Sequence, residues 1–262
     1  MSDDPLLGRI EDAGLNASAP PEQRWLDGWL LRFNPGKAKR ARCVNALAEG
    51  RLPLDERLAL AEAAFAEHGL PLHLRITPFT RPADLDATLA ARGWRRFDDT
   101  RVMLRRGLPP PTAAGAPAGI HPQPVPAEAY AQLVGALRGS PPAQREAHAR
   151  RLQLSPVRYQ GFVVHDGTTL AACGQFAREG ELVGLYDVFT APAFRGRGLG
   201  RGLCAWMLDR AAAEGARHAY LQVDADNAAA RAVYARLGFS DAYAYHYRTR
   251  APAGREDAGA AG

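Results

Sequence analysis

Beyond residue 158 the chain alternates between short, dense apolar runs and stretches whose apolar positions recur at helical spacing. "YQGFVVHDGTTLAACGQFA" reads as two β-rich runs around an "HDG" turn, which predicts a hairpin. "ELVGLYDVFT" predicts a third strand, and it runs directly into "FRGRGLGRGLC", residues 194–204. Past that loop, Leu203, Trp206, Met207, Leu208 and Ala211 fall on one helical face, with Gly215 where a C-cap belongs. "HAYLQV" then predicts a strand, "NAAARAVYARLG" a helix closed by Gly238, and "AYAYHYRTR" a final strand. The expected order is β, β, β, glycine loop, α, β, α, β.

The first half carries a fainter version of this pattern. "GWLLRFNPGKAKRARCVNAL" predicts a hairpin around Asn34-Pro35-Gly36, "RLALAEAAFAEHG" a helix ending at Gly69, and "LHLRI" a strand. "ADLDATLAARGWRR" can be laid against "AARAVYARLGFSD" so that Gly93-Trp94 matches Gly238-Phe239, which suggests an internal repeat of one supersecondary unit. The first copy has no glycine-rich loop. Between the copies, residues 107–126, "GLPPPTAAGAPAGIHPQPVP", are too rich in Pro, Ala and Gly to sustain a helix or a central strand. The expected division is therefore 1–106, a 107–126 linker, 127–250, and a frayed tail over 251–262.

Composition narrows the function classes. Of 262 residues, 47% are hydrophobic and 23% charged, the balance of a folded domain. The net charge of +5 is spread evenly, with 17 basic and 15 acidic residues over 1–106 and 16 and 13 over the rest. That interleaving argues against a nucleic-acid-binding arm. Cys43, Cys173 and Cys204 lie far apart without CxxC or metal spacing, so they read as buried thiols of a reducing compartment. The start, "MSDDPLLGRIEDAG", is too weakly apolar for a signal peptide, and no run reaches the ~18 apolar residues of a membrane span. The expectation is a cytoplasmic protein with no metal, membrane or nucleic-acid partner.

The loop carries the chemistry. A strand that enters a glycine-rich turn and then a helix aims several backbone N–H groups at one point, backed by the positive end of the helix dipole, and so forms an anion cradle. Arg195, Arg197 and Arg201 add charge to it. A Walker loop needs GxxxxGK followed by Ser or Thr, and no Lys stands here; a dinucleotide fingerprint needs GxGxxG, which the spacing Gly196, Gly198, Gly200, Gly202 does not provide. A merely flexible basic turn is the competing reading, but the strand before and the amphipathic helix after it favour the cradle.

"RGRGLG", Arg195, Gly196, Arg197, Gly198, Leu199 and Gly200, resembles the acetyl-CoA pyrophosphate loop of the GNAT N-acetyltransferase superfamily, and "DVFTAP" before it and "LQVDADNAAARAVYARLGF" after it agree. The resemblance covers 158–250. It implies an α/β fold with a mixed central sheet, a splayed strand pair that binds CoA, and flanking helices. It implies acetyl-CoA as cosubstrate, held by Arg195 to Gly200 and by the main chain of Val188, Phe189 and Thr190, with Asn227 as a further contact. An N-cap of the next helix is an equally sensible role for Asn227. The first half is similar to the degenerate copy of tandem GNAT proteins, which implies two GNAT-like halves.

The same resemblance implies a general acid at Tyr234, on the same helix face as Asn227, to protonate the leaving thiolate. A tyrosine packed beside Phe239 is the plain alternative, and the aligned residue of the first copy is Leu89. Family members that acetylate protein N-termini use a Glu as base; that position here is Gln222, which cannot take a proton. Asp187, at the strand end before the loop, is the candidate base, with a solvated or capping carboxylate as its alternative; Asp224 and His165 are weaker. The implied reaction is acetyl transfer to a primary amine of a small molecule, peptide or protein. A non-catalytic acetyl-CoA sensor would keep the cradle without needing Tyr234. A homodimer stays open.

Overall fold

The computed structural model describes residues 4–110 and 120–250. The tail expected over 251–262 and the centre of the linker, 111–119, lie outside them. In chain order the elements of the first half are α1 (Pro5–Ala17), β1 (Glu22–Leu26), β2 (Trp29–Phe33), β3 (Val44–Ala46), α2 (Leu54–Glu67), β4 (Leu74–Ile76), α3 (Leu85–Ala91) and β5 (Arg95–Arg105). Then come β6 (Gln123–Val125), α4 (Ala127–Leu137), α5 (Pro142–Gln153), β7 (Tyr159–Asp166), β8 (Thr169–Glu179), β9 (Leu182–Thr190), α6 (Leu199–Ala213), β10 (His218–Asp224), α7 (Ala228–Arg236) and β11 (Ser240–Thr249).

All strands among the described residues join one mixed sheet in the order β1-β2-β3-β4-β11-β5-β10-β9-β8-β7-β6. The β3·β4 and β9·β10 pairs are parallel and the rest antiparallel. The two halves exchange strands at the centre: β5 pairs with β10 of the other half, β11 pairs with β4, and β5 and β11 pair with each other. The boundaries expected from the sequence therefore divide the chain but not the sheet. Strand β6 falls within the expected linker, at the sheet's edge, where Pro124 gives up no ladder hydrogen bond that a central strand would need.

The repeat has a structural counterpart. Helices α3 and α7 both end in a left-handed glycine, Gly93 at φ 80° and Gly238 at φ 84°. In both, the next residue folds back onto the helix: Trp94 N–H donates to Leu89 O at 3.0 Å and Phe239 N–H to Tyr234 O at 3.1 Å. Trp94 and Phe239 are both buried and anchor the strand that leaves for the opposite half.

The α6 face expected from the sequence packs on the sheet. Leu203, Met207, Leu208 and Ala211 are buried with Phe162, Phe176 and Leu185, while Trp206 is only half-buried, its ring edge-on to Phe162 at 4.8 Å. Each large apolar side chain buried here contributes about 1.5–3 kcal/mol. Two features were not foreseen. Asp27-Gly28, both at positive φ, closes a tight β1–β2 hairpin, so the Asn34-Pro35-Gly36 turn opens a longer β2–β3 connection with a 3-10 turn at Lys39–Ala41. Helix α1 is also new. Asp4 accepts from Leu6 N–H and Pro5 occupies the first turn. Its buried Glu11 accepts from Arg75 of β4, including Nη2 at 3.2 Å, and from the Tyr243 hydroxyl at 2.7 Å. Helix α1 is thereby tied to strands from both halves.

Candidate active site

The β9·β10 ladder stops early. Pairing runs from Leu182↔His218 to Leu185↔Leu221, yet β9 continues to Thr190 and β10 to Asp224. The cause lies on the other side of β9. Cys173↔Phe189 and Gln175↔Tyr186 leave two residues of β9, Asp187 and Val188, opposite one of β8, a β-bulge with Asp187 at φ 50°. A bulge bends its strand, and here β9 swings away from β10. Phe189 and Thr190 stay paired to β8 on one edge, which leaves their β10-facing edge without a ladder partner.

Beyond β9 the glycine loop reaches α6. Gly196 and Gly198 sit at φ 79° and 78°, and a Cβ on either would meet nothing within 4 Å. The left-handed backbone, not crowding, is what calls for glycine here. Gly198 caps α6 without a side-chain hydrogen bond, so the N–H groups of its first turn face the cleft unclaimed by any cap. That cleft, about 700 Å³, is lined by Val188, Phe189, Thr190, the loop and the α7 face bearing Asn227 and Tyr234. Arg195 lines it, its Nε 3.3 Å from Thr190 O. Arg197 instead turns outward to Asp166 at 3.0 Å. Asn227 does cap α7, accepting from Ala230 N–H at 3.1 Å, and lines the cleft as well.

Tyr234 and Val188 line both this cleft and a second one, which continues between the splayed strands past Asp187, Gln222 and Asp224. Burial pushes the Tyr234 phenol pKa upward, so it holds its proton. All three cysteines are free and buried, and burial raises their thiol pKa values, Cys43 and Cys173 to about 11 and Cys204 to about 12. None is poised as a nucleophile.

Asp187 is fully engaged. Oδ1 accepts from Arg138 Nη1 at 2.9 Å, Oδ2 from Gln175 Nε2 at 2.7 Å, and His148 Nε2 lies 3.3 Å from Oδ2. Burial alone would raise its pKa, but His148, Arg138 and Arg151 outweigh it and hold the carboxyl well below its usual range. So depressed a carboxylate is a poor proton acceptor and a good anchor. Asp224 accepts from Asp226 N–H at 2.8 Å and shapes its turn. His165 lies at the β7 end and lines none of these clefts. Gln222 accepts from the Tyr245 hydroxyl at 2.8 Å. Sequence reasoning passed over His148 of α5, as well as Lys37, Lys39 and Arg40 of the β2–β3 connection, which line the cavity on the far side of Asp187.

A splayed parallel pair, a bulge at the splay and a glycine-led helix aimed into it define a GNAT-type N-acetyltransferase, an acyltransferase enzyme. A GCN5-related N-acetyltransferase from Kribbella flavida superposes with a TM-score of 0.68 at 18% identity, over 93% of this chain and 95% of that one. A tandem GNAT protein from the clavulanic acid biosynthesis pathway gives 0.57 at 18% identity, over 81% and 76%. The uncharacterized N-acetyltransferase YobR of Bacillus subtilis strain 168 is 27% identical over 230 residues, 87% of this chain and 92% of its own. The chain belongs to the family described as "Probable histone acetyltransferase Rv0428c C-terminal", whose pattern matches residues 7–248. Among the described residues no helix is long and apolar enough to cross a membrane, and no group of three His, Cys, Asp or Glu could hold a metal ion.

Proposed function

We propose that the protein transfers the acetyl group of acetyl-CoA to a primary amine by direct attack, with Tyr234 as general acid. The observation that carries this reading is the placement of Tyr234 where the loop-lined cleft opens into the cleft between the splayed strands. The residues fit the cosubstrate: the uncapped first turn of α6 with Arg195 suits a pyrophosphate, and the unpaired edge of Val188, Phe189 and Thr190 suits an amide-bearing arm. Bound acetyl-CoA supplies an activated thioester carbonyl.

Tyr234 then gives its proton to the departing sulfur, and the proton shed by the acylated nitrogen balances it. The incoming ammonium must first lose a proton. The Asp187–His148 pair serves this step: Asp187 orients the ring through Nε2–H, and Nδ1 is left as the accepting nitrogen. Residues 1–106 have lost the glycine loop and serve the acceptor side through Lys37, Lys39 and Arg40.

A thiol-release assay with acetyl-CoA and an amine panel, beside a thermal-shift titration, tests this. Acetyl-CoA should raise the melting temperature, and acceptor-dependent thiol release should follow. His148→Gln should lower kcat about 10²-fold and leave the acetyl-CoA shift intact. A shift with no turnover of any amine would point to a sensor, and absence of a shift would refute the cradle.

A further inference from the structure

Granting the acetyltransferase reading, we infer that the acceptor is an amine that also bears an anionic group, a carboxylate or a phosphate, and not a lysine-rich peptide. The cavity beyond Asp187 is small, about 270 Å³. It suits a compact molecule or a chain end. Its walls carry Lys37, Lys39, Arg40, Arg138, Arg145 and Arg151 against only Asp98, Asp187 and Asp224.

Two of the three carboxylates are already paired with cations, and the third accepts a hydrogen bond within its own turn. Asp98 pairs with Lys39 at 3.3 Å, Asp187 with Arg138 at 2.9 Å, and Asp224 is drawn into its own turn. Arg151 donates to Ala17 O at 3.1 Å and lies over the Tyr159 ring. Lys37, Arg40 and Arg145 remain, with no carboxylate partner among the described residues, and the Nε atoms of Arg40 and Arg145 are buried without a hydrogen-bond partner. Burial, together with Arg138 and Lys39 nearby, lowers the Lys37 pKa, as expected where cations crowd one another.

Guanidinium forks match carboxylate and phosphate oxygens, and a site with spare cations favours an anion as strongly as it disfavours another cation. Arg40 and Arg138 also line the cleft shared with Asp187 and Tyr234, so an anion held there would place its amine toward the reacting end. The same field disfavours the ammonium form of that amine and so assists its deprotonation. A polycationic tail would meet the field with the opposite sign.

The test uses matched acceptors: 2-aminoethyl phosphate with ethanolamine, β-alanine with its amide, and a glutamate-rich peptide with a lysine-rich one of equal length. Thiol release is measured for each, with calorimetric binding to the CoA-loaded protein. The anionic member of at least one small-molecule pair should show kcat/KM at least tenfold above its partner, and the pair that responds tells phosphate from carboxylate. Arg145→Gln and Lys37→Gln should each raise KM for that acceptor about fivefold or more, with kcat and the acetyl-CoA thermal shift unchanged, and Arg145→Lys should recover part of the loss. Equal or better use of the neutral or basic members, or no binding of any anionic member, overturns the inference. Loss of the acetyl-CoA shift in the parent protein would instead strike the acetyltransferase reading itself.

Discussion

Helix α3 with β5 and helix α7 with β11 are built alike, down to the left-handed glycine and the hydrogen bond that folds the next aromatic back onto the helix. The residue whose carbonyl accepts that bond is Leu89 in one and Tyr234 in the other. Leu89 is fully buried in an apolar core with Trp94, Leu58 and Phe65, whereas Tyr234 is half-buried and lines two clefts. The repeated frame supplies a fixed position at the helix end. On the proposed reading, chemistry depends on what stands there, and on a glycine loop that the second copy has and the first lacks.

The comparison can be broken at its centre. Tyr234→Phe should lower kcat by about 10² to 10⁴ with acetyl-CoA binding kept, as read by thiol release and thermal shift. Leu89→Ala, the matching position, should cost about 2–5 kcal/mol of stability in denaturant unfolding and spare kcat of the folded enzyme. Unchanged turnover in Tyr234→Phe would remove the distinction between the copies.

A second break targets what ties the halves together. Burial would raise the Glu11 pKa, but Arg75 and the Tyr243 hydroxyl lower it below its ordinary value. Its stabilisation is therefore full above the ordinary carboxylate range and is lost as pH falls through the depressed folded value. Removing one partner of such a buried pair costs about 3–5 kcal/mol. Glu11→Ala should show that loss at pH 7, and the gap to the parent should narrow in acid; a gap constant down to pH 3 would refute the role.

The glycines sharpen the comparison with the smallest effect. Gly93→Ala and Gly198→Ala each force a side chain into a left-handed backbone, at about 1–2 kcal/mol. Only Gly198→Ala should also raise KM for acetyl-CoA, several-fold. Equal KM changes in both would mean that the loop is not the cradle.

What was legible in the sequence was local. The spacing of Leu203, Met207 and Leu208, the capping glycines and the glycine loop each act within a few residues, and so each left a pattern. Helix α1 left one too, in Asp4-Pro5 followed by Leu7 and Ile10. The proposed base did not. Asp187 is visible in the sequence as a carboxylate before the loop, but its partners Arg138, Gln175 and His148 come from α4 and its turn, β8 and α5, and tertiary folding alone assembles them. Strand exchange was equally hidden, because β5 and β11 carry no mark of which neighbour they will choose.

That exchange also sets an order of events during synthesis. Strand β11, the last described strand to leave the ribosome, must lodge between β4 and β5, both made long before. Until it arrives, β4 and β5 hold open backbone edges, and the nascent first half has a gap in the middle of its sheet. The centre of the sheet can therefore close only when β11 is in place, and a stalled or truncated product would present those edges to its neighbours as an invitation to aggregate.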